Sequence, residues 1–437
     1  MKDTDGAQHA TTERDGLIDP DSGLPVLAVP GEGLPPLVDT AEKLAECVQV
    51  LGAGTGPVAI DTERAQSFRY SGRAYLLQIR RHGCGTWLID PQAFEPGDGS
   101  VADLSTLREA ITDSEWVIHA ANSDLPCLSE LGLLPERLFD TELAGRLLGM
   151  PRVGLGPMAE TFFGVHLLKE HSVADWSKRP LPADWIAYAA LDVELLVELR
   201  DLLWRQLHEQ GKWGWAQQEF QHMIDAHREP PTPPAEPWRH VNGLHSVRTR
   251  RGLALVREIW TERDRVAREL DRAPGKILPD KAISELASQI TKNTPDVPGM
   301  AQMNAVMGFK RRNARRYRGR WLAAAGRIAA MSESELPRLR VPHEGPSPQP
   351  RNWQRTNPDA WRRWQRVRPA MNRLAKALDV PPENLIAPET LRRLAWEPLE
   401  TVDREHVAAR LAAHGARGWQ CRLTAPVIVA ALGSTPR

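Results

Sequence analysis

Carboxylates are the side chains whose spacing most invites chemistry in this chain. Asp61 and Glu63 stand at the end of the apolar run PVAID (57–61). Strand side chains alternate, so positions i and i+2 point to one side and the two acids converge. Asp124 follows another apolar run, EWVIHA (115–120), at the place where a helix over 124–131 would start. Taken singly it reads as a helix N-cap, which Asp fills because its side chain accepts a backbone N–H. Tyr188 and Asp192 lie four apart in the helical run ADWIAYAALDVELLVEL, one above the other on one face. Each feature is commonplace alone, since acids at strand ends are usually just solvated. Together they offer hard oxygen ligands of the kind that suit Mg²⁺ or Mn²⁺. The four cysteines, Cys47, Cys84, Cys127 and Cys421, are scattered and form no zinc pattern with histidine.

The elements that must carry these residues alternate between strand-like and helical runs. PVAID (57–61), AYLLQIRR (74–81) and GTWLID (85–90) read as strands, followed by a helix near 103–112, the EWVIHA strand, and then mostly helices. That order predicts an α/β domain, a mixed sheet flanked by helices, over residues 24–227. Residues 1–23 are polar and aperiodic and are expected to be a disordered tail. The stretch REPPTPPAEPW begins a proline-rich linker assigned to 228–240. A second break, PHEGPSPQP, falls within a linker assigned to 331–357. The helical segments 241–330 and 358–437 are related: VARELDRAPGKILPDKAISELA (266–287) lies over LAKALDVPPENLIAPETLRRLA (374–395) without a gap. Each copy reads as a helix, a proline-bearing loop, and a second helix starting near Asp280 or Pro388, within a small all-α bundle. A fragment ending near Arg228 is expected to fold by itself.

The formal net charge of zero conceals two opposed halves. Residues 1–230 carry 19 Lys and Arg against 36 Asp and Glu, whereas residues 231–437 carry 37 against 20. An acidic metal-binding enzyme joined to a polyanion-binding region would show this split, and so would a dipolar protein whose halves dock on each other. The run FKRRNARRYRGRW (309–321) concentrates Lys310, Arg311, Arg312, Arg315, Arg316, Arg318 and Arg320 among aromatic residues. Cations there would neutralise phosphates, and the rings could stack on unpaired bases. The longest late apolar stretch, 425–432, is too short to span a bilayer, so a cytoplasmic protein is expected.

A strand-borne Asp-x-Glu, an Asp after a later strand, and a helical Tyr-x-x-x-Asp form the ordered signature of the DEDD exonuclease superfamily in its tyrosine-bearing form. The segment FFGVHLLKEHSVADWSKRPLPADWIAYAALDV (162–193) closely resembles the ribonuclease D family, as do VAIDTE, LLQI, the 119–124 element and FDTELA. The basic repeats resemble the HRDC domain, of which that family carries two copies. The resemblance implies a ribonuclease H-like exonuclease domain followed by two HRDC-like bundles. It also implies a 3′→5′ exoribonuclease that releases nucleoside monophosphates from RNA 3′ ends, transfer RNA precursors among them. Asp61 would bridge two divalent ions, Glu63 and Asp192 would complete the water-activating site, and Asp124 would hold the second ion. Tyr188 would orient the attacking water. Lys169 and Arg179 would contact phosphates, Gln78 and His119 would line the site, and Trp176 reads as a core anchor. A free RNA 3′ end is the implied partner, with single-stranded DNA possible and a monomer favoured. A DNA 3′→5′ exonuclease and a non-catalytic nucleic-acid-binding protein are the competing readings.

Overall fold

The computed structural model describes residues 17–97, 100–168, 173–230, 232–294, 297–340 and 350–433. Its strands are β1 (Val26–Leu27), β2 (Leu37–Val38), β3 (Val58–Arg64), β4 (Ala74–Arg81), β5 (Gly85–Ile89), β6 (Glu115–Ile118), β7 (Arg137–Asp140) and β8 (His166–Leu167). Six form one mixed sheet in the order β2-β5-β4-β3-β6-β7, and β1 pairs with β8 apart from it. β4 occupies the run read from sequence, and it is buried almost throughout, as a central strand covered on both faces must be. β3 continues three residues past its expected end, because its antiparallel ladder with β4 runs on through Asp61↔Gln78 and Glu63↔Leu76 before a bulge between Glu63 and Arg64. The acids therefore lie inside a paired strand. β6 stops at Ile118, and Ala120 adopts a left-handed φ of 59° that turns the chain out of the sheet.

Helices cover both faces. One face packs on the Ala41–Ala53, Leu196–Glu209 and Trp213–Ala226 helices, with Leu51, Leu199, Leu203 and Phe220 in a core that includes Val58 and Ile60 of β3. The other face carries a smaller core of Tyr75, Leu76, Leu88, Trp176 and Ala189 beneath the Ala183–Glu194 helix. That helix brings Tyr188 and Asp192 over β3.

The repeat is realised element by element. Helices Arg250–Glu269 and Pro358–Ala377 are each followed by a one-turn helix, Pro274–Ile277 or Pro382–Leu385, and then by Asp280–Ser288 or Pro388–Trp396. Even the corner residues correspond, since Asp271 and Asp379 both take left-handed φ values, 44° and 49°. Asp tolerates that region better than most side chains. The helical cores extend into both expected linkers. Trp238, in the Pro237–His240 turn, and Leu336 are buried in the first helical core, and Trp353 is wholly buried in the second. Structure also begins inside the expected tail, where Ile18 bridges Pro25.

The acidic half shares its core with the second helical unit. Ala375, Val380, Leu385 and Trp419 of the second helical unit belong to the same buried core as Leu147, Phe220 and the sheet. Trp419 stacks on Trp215 at 4.8 Å, and its indole N–H donates to Glu219. Arg417 donates to both oxygens of that buried carboxylate at 2.7 and 2.6 Å. Helices of the basic half thus complete the hydrophobic core of the acidic half.

Candidate active site

Strand alternation aims Asp61 and Glu63 to one side of β3, and Asp192 meets them from the helix above. One carboxylate oxygen from each lies within 4.8 Å of the others. β3 pairs with β6 only at Val58 and Ala59, so its last residues run beyond β6. The turn Ala121–Ser123 and the helix Leu125–Glu130 follow β6 there. Asp124 does occupy the N-cap position of that helix, but its side chain makes no capping bond. It accepts instead from the Thr62 hydroxyl, at 2.5 Å. Arg64 donates to the Ser123 carbonyl at 2.7 Å, tying the same turn to β3.

Burial raises Asp61, Glu63 and Asp124 above the ordinary carboxylate range, and neighbouring carboxylates add to it for the first two. Burial is the main cause for Asp61, followed by the charges of Asp124, Asp192 and Glu63. Glu63 is pushed up to about 9 by burial and then by Asp192 and Asp124. Burial raises Asp124 to about 6, against the pull of the Thr62 hydrogen bond and of Arg64. The Tyr188 hydroxyl is driven far upward by burial and by Asp192, to which it is hydrogen bonded. Its ring lies 6.2 Å from that of Trp176, a fully buried side chain, as the anchor reading requires.

One curated relative, a ribonuclease D from Gluconacetobacter diazotrophicus, is 30% identical over 377 residues, covering 83% of this chain and 87% of its own. The chain belongs to the ribonuclease D family. Its enzyme class is that of a 3′→5′ exoribonuclease. Residues 35–208 match a 3′–5′ exonuclease family model, 252–324 an HRDC domain, and 346–432 a 3′ to 5′ exonuclease C-terminal domain. The second repeat copy thus answers to a family model of its own. A solved structure from Bifidobacterium adolescentis superposes with a TM-score of 0.83 at 37% identity, covering 94% of this chain and 99% of that one. Ribonuclease D of Escherichia coli shares the fold with a TM-score of 0.65 at 22% identity, over 92% of this chain and 100% of that one.

Ribonuclease D-type exonucleases depend on divalent metal, and this acid cluster fits such an ion. Three carboxylates converge, and the proton affinities of Asp61 and Glu63 are raised partly by their neighbours' charge, a positive charge being what that repulsion lacks. All donors are hard oxygens.

Other residues singled out in the sequence fare differently. Arg179 is spent on structure: Nε and Nη2 grip Asp90, and further bonds go to the carbonyls of Tyr75, Trp176 and Lys178. These use all five guanidinium N–H donors, so none remains for a phosphate. Gln78 lies opposite Asp61, fully buried, with neither amide atom hydrogen bonded among the described residues. His119 is 2.8 Å from the Thr141 hydroxyl. Lys169 lies outside the described residues. Lys310, Arg311, Arg312, Arg315 and Arg316 are all exposed. The aromatic residues among them are not free to stack: Phe309 and Trp321 are core, and Tyr317 packs edge-on against Trp321. Arg320 is held by Glu262 and Glu269.

Two supporting residues escaped sequence reasoning. Thr62 sits between two acids that drew all the attention, although alternation placed it on the opposite side, toward Asp124. Asp140 accepts from the backbone N–H groups of Ala120, Ala121 and Leu143, and so fixes the left-handed turn leading to Asp124. Its N-cap signature, Asp-Thr-Glu, was legible.

Proposed function

We propose that the protein removes nucleoside monophosphates from RNA 3′ ends by hydrolysis assisted by two divalent ions, Mg²⁺ or Mn²⁺. Asp61, Glu63 and Asp192 would hold one ion, and Asp124 would help Asp61 to hold the other. Such ions neutralise charge on the attacking and leaving oxygens and lower the pKa of a bound water. Tyr188 keeps its proton, because burial and three neighbouring acids oppose its ionisation. Its hydroxyl orients the attacking water and is no general base. The observation that carries this reading is the convergence of three carboxylates from two separate elements, with the Tyr188 hydroxyl bonded to one of them.

A chain of contacts links the exposed cations of 310–316 to the cleft beside the acids. Asn313, in their midst, donates to the Lys276 carbonyl at 2.8 Å. The adjoining Ala273 N–H donates to the Phe68 carbonyl at 3.0 Å, and Phe68 lines the open cleft beside Glu63. A single strand lying on these cations would be led toward the acids. Structured RNA with a free 3′ end, transfer RNA precursors included, is the substrate class that family membership supports, and the protein acts as a monomer.

The test uses 5′-labelled RNA and DNA of matched sequence, with free or blocked 3′ ends, in Mg²⁺, Mn²⁺ or EDTA. Free-ended RNA should shorten stepwise, and only with metal. Asp61→Asn should lower turnover by several orders of magnitude with RNA affinity nearly intact. Turnover of that variant above about a tenth of wild type would sink the assignment, since one lost ligand allows far less. Faster loss of DNA than of RNA would transfer the reading to a DNA exonuclease.

A further inference from the structure

We propose that the connection between β3 and β4, residues 65–73, is a strap through which the first helical unit positions the catalytic strand, and that Asp271 is the positioning residue at its far end. This rests on the exoribonuclease reading and deepens it. Two aromatic residues on the strap are anchored in different cores. Phe68 packs against the small core beneath the Ala183–Glu194 helix, beside Trp176 and Tyr188. Tyr70 packs against the core of the first helical unit. Its hydroxyl donates to Asp264 at 2.9 Å and accepts from Arg268 at 3.0 Å.

The corner of the repeat closes on the segment between them. The Tyr70 N–H donates to Asp271 Oδ1 at 3.2 Å, Arg69 lies 3.6 Å from the same carboxylate, and the Ala273 N–H donates to the Phe68 carbonyl. Arg69 also donates to Ser177 at 2.7 Å, next to buried Trp176. The strap leaves β3 at the bulge directly after Glu63. Bulges re-aim the side chains beside them, so a force on the strap reaches that carboxylate first.

The second copy shows what the same corner does when it serves only as a fastening. Leu378 packs against the nuclease core and Val380 is buried within it, while Lys212 donates to the Asp379 carbonyl at 3.2 Å. In the first copy the matching Leu270 is 41% exposed, and the Asp271–Arg69 pair is more than a third exposed on both sides. An exposed pair of that kind adds little stability. Polar, directional contacts on a segment adjoining the site serve alignment.

The test uses the full chain and a 5′-labelled trinucleotide, too short to lie along the basic run. Asp271→Gly relieves the left-handed backbone while deleting the carboxylate. It should lower kcat roughly tenfold to a hundredfold with KM little changed, the cost of a misplaced reacting group. Asp271→Asn keeps an acceptor for Tyr70 and tolerates the same φ, and should retain most of the activity. Tyr70→Phe, which leaves the ring in place, should lower kcat in the same sense and gives a second reading if the glycine variant does not fold. Asp379→Gly is the control and should leave trinucleotide turnover intact. Wild-type kcat in Asp271→Gly, or an equal loss in Asp379→Gly, overturns the strap alone. A wild-type protein inert on every nucleic acid overturns the nuclease reading and the strap with it.

Discussion

Binding of a divalent cation to the acid cluster should release protons, and affinity should therefore rise steeply with pH. Burial and mutual repulsion raise Asp61 well above the ordinary carboxylate range and push Glu63 up from 4.5 to about 9. A protonated carboxyl is no ligand, so each cation must displace the proton it replaces. A carboxyl whose folded pKa exceeds its unfolded value adds stability that is complete below the unfolded pKa and drains away as pH climbs to the folded one. For Glu63 that window runs from 4.5 to about 9. The metal-free fold should weaken across it while affinity for the cation grows. One proton displaced per cation makes Kd fall about tenfold per pH unit, or about 1.4 kcal/mol, and the slope belongs to the coupled cluster as a whole. Calorimetric titration with Mg²⁺ at about pH 6 and about pH 8, in buffers of different ionisation enthalpy, counts the protons directly. Thermal unfolding with and without Mg²⁺ should show a gap that widens with pH. A Kd that stays flat over this range, with no proton release, would refute the picture of a cluster poised by repulsion.

Tyr188→Phe deletes one hydroxyl and should lower turnover by roughly 10²–10⁴-fold while the Mg²⁺ dissociation constant holds; an unchanged rate reduces Tyr188 to packing. Reversing Arg311, Arg312, Arg315 and Arg316 to Glu should raise KM on long single strands with kcat little altered, and flatten the log K against log[salt] slope by roughly 0.7 per lost phosphate contact. Salt slopes equal to wild type would remove these residues from the RNA path. Trp419→Ala should cost about 3–5 kcal/mol in urea denaturation, since it empties a fully buried ring site in the nuclease core and removes a donor to Glu219. A loss under about 1 kcal/mol would mean that the second helical unit is dispensable to that core.

How much of this was legible followed from the reach of each pattern. β4, the repeat and its helix starts at Asp280 and Pro388 were readable because periodicity accumulates over long runs. β2 and β7, two and four residues long, are too short to carry a period, and they lie at the sheet edges where pairing alone defines them. Asp61 with Glu63, and Tyr188 with Asp192, could each be paired on paper because strand and helix alternation are local rules, whereas joining the two pairs rested on the family resemblance. Thr62 and Asp124 could not be paired in this way, since their bond depends on β3 outrunning β6, a property of the sheet. Arg179 misled for a related reason: an arginine beside a phosphate-handling motif invites a phosphate, and only the fold shows Asp90 and three carbonyls waiting for it. The interleaved aromatic residues of 309–321 failed on helical phase, which turns Phe309 and Trp321 inward while the cations turn out.

The opposed charges of the two halves had suggested either docking or capture of a polyanion, and the structure shows why these are not alternatives. The second helical unit docks mainly through apolar burial, with Trp419, Val380 and Leu385 in the nuclease core and one buried pair, Arg417 with Glu219. Had charge attraction been the fastening, the cations of the first unit would be consumed at its contact with the nuclease. At that contact the carboxylates Asp264 and Asp271 meet the Tyr70 hydroxyl and Arg69, while Arg268 and Lys276 touch the neutral side chains Tyr70 and Phe68 across it. Its charge pair, Arg69 with Asp271, has a polarity that is the reverse of what the overall charges dictate. The cations at 310–316 are left exposed. Excess positive charge that is not spent on holding the halves together remains available to a polyanion, whose binding then varies with salt while the fold does not.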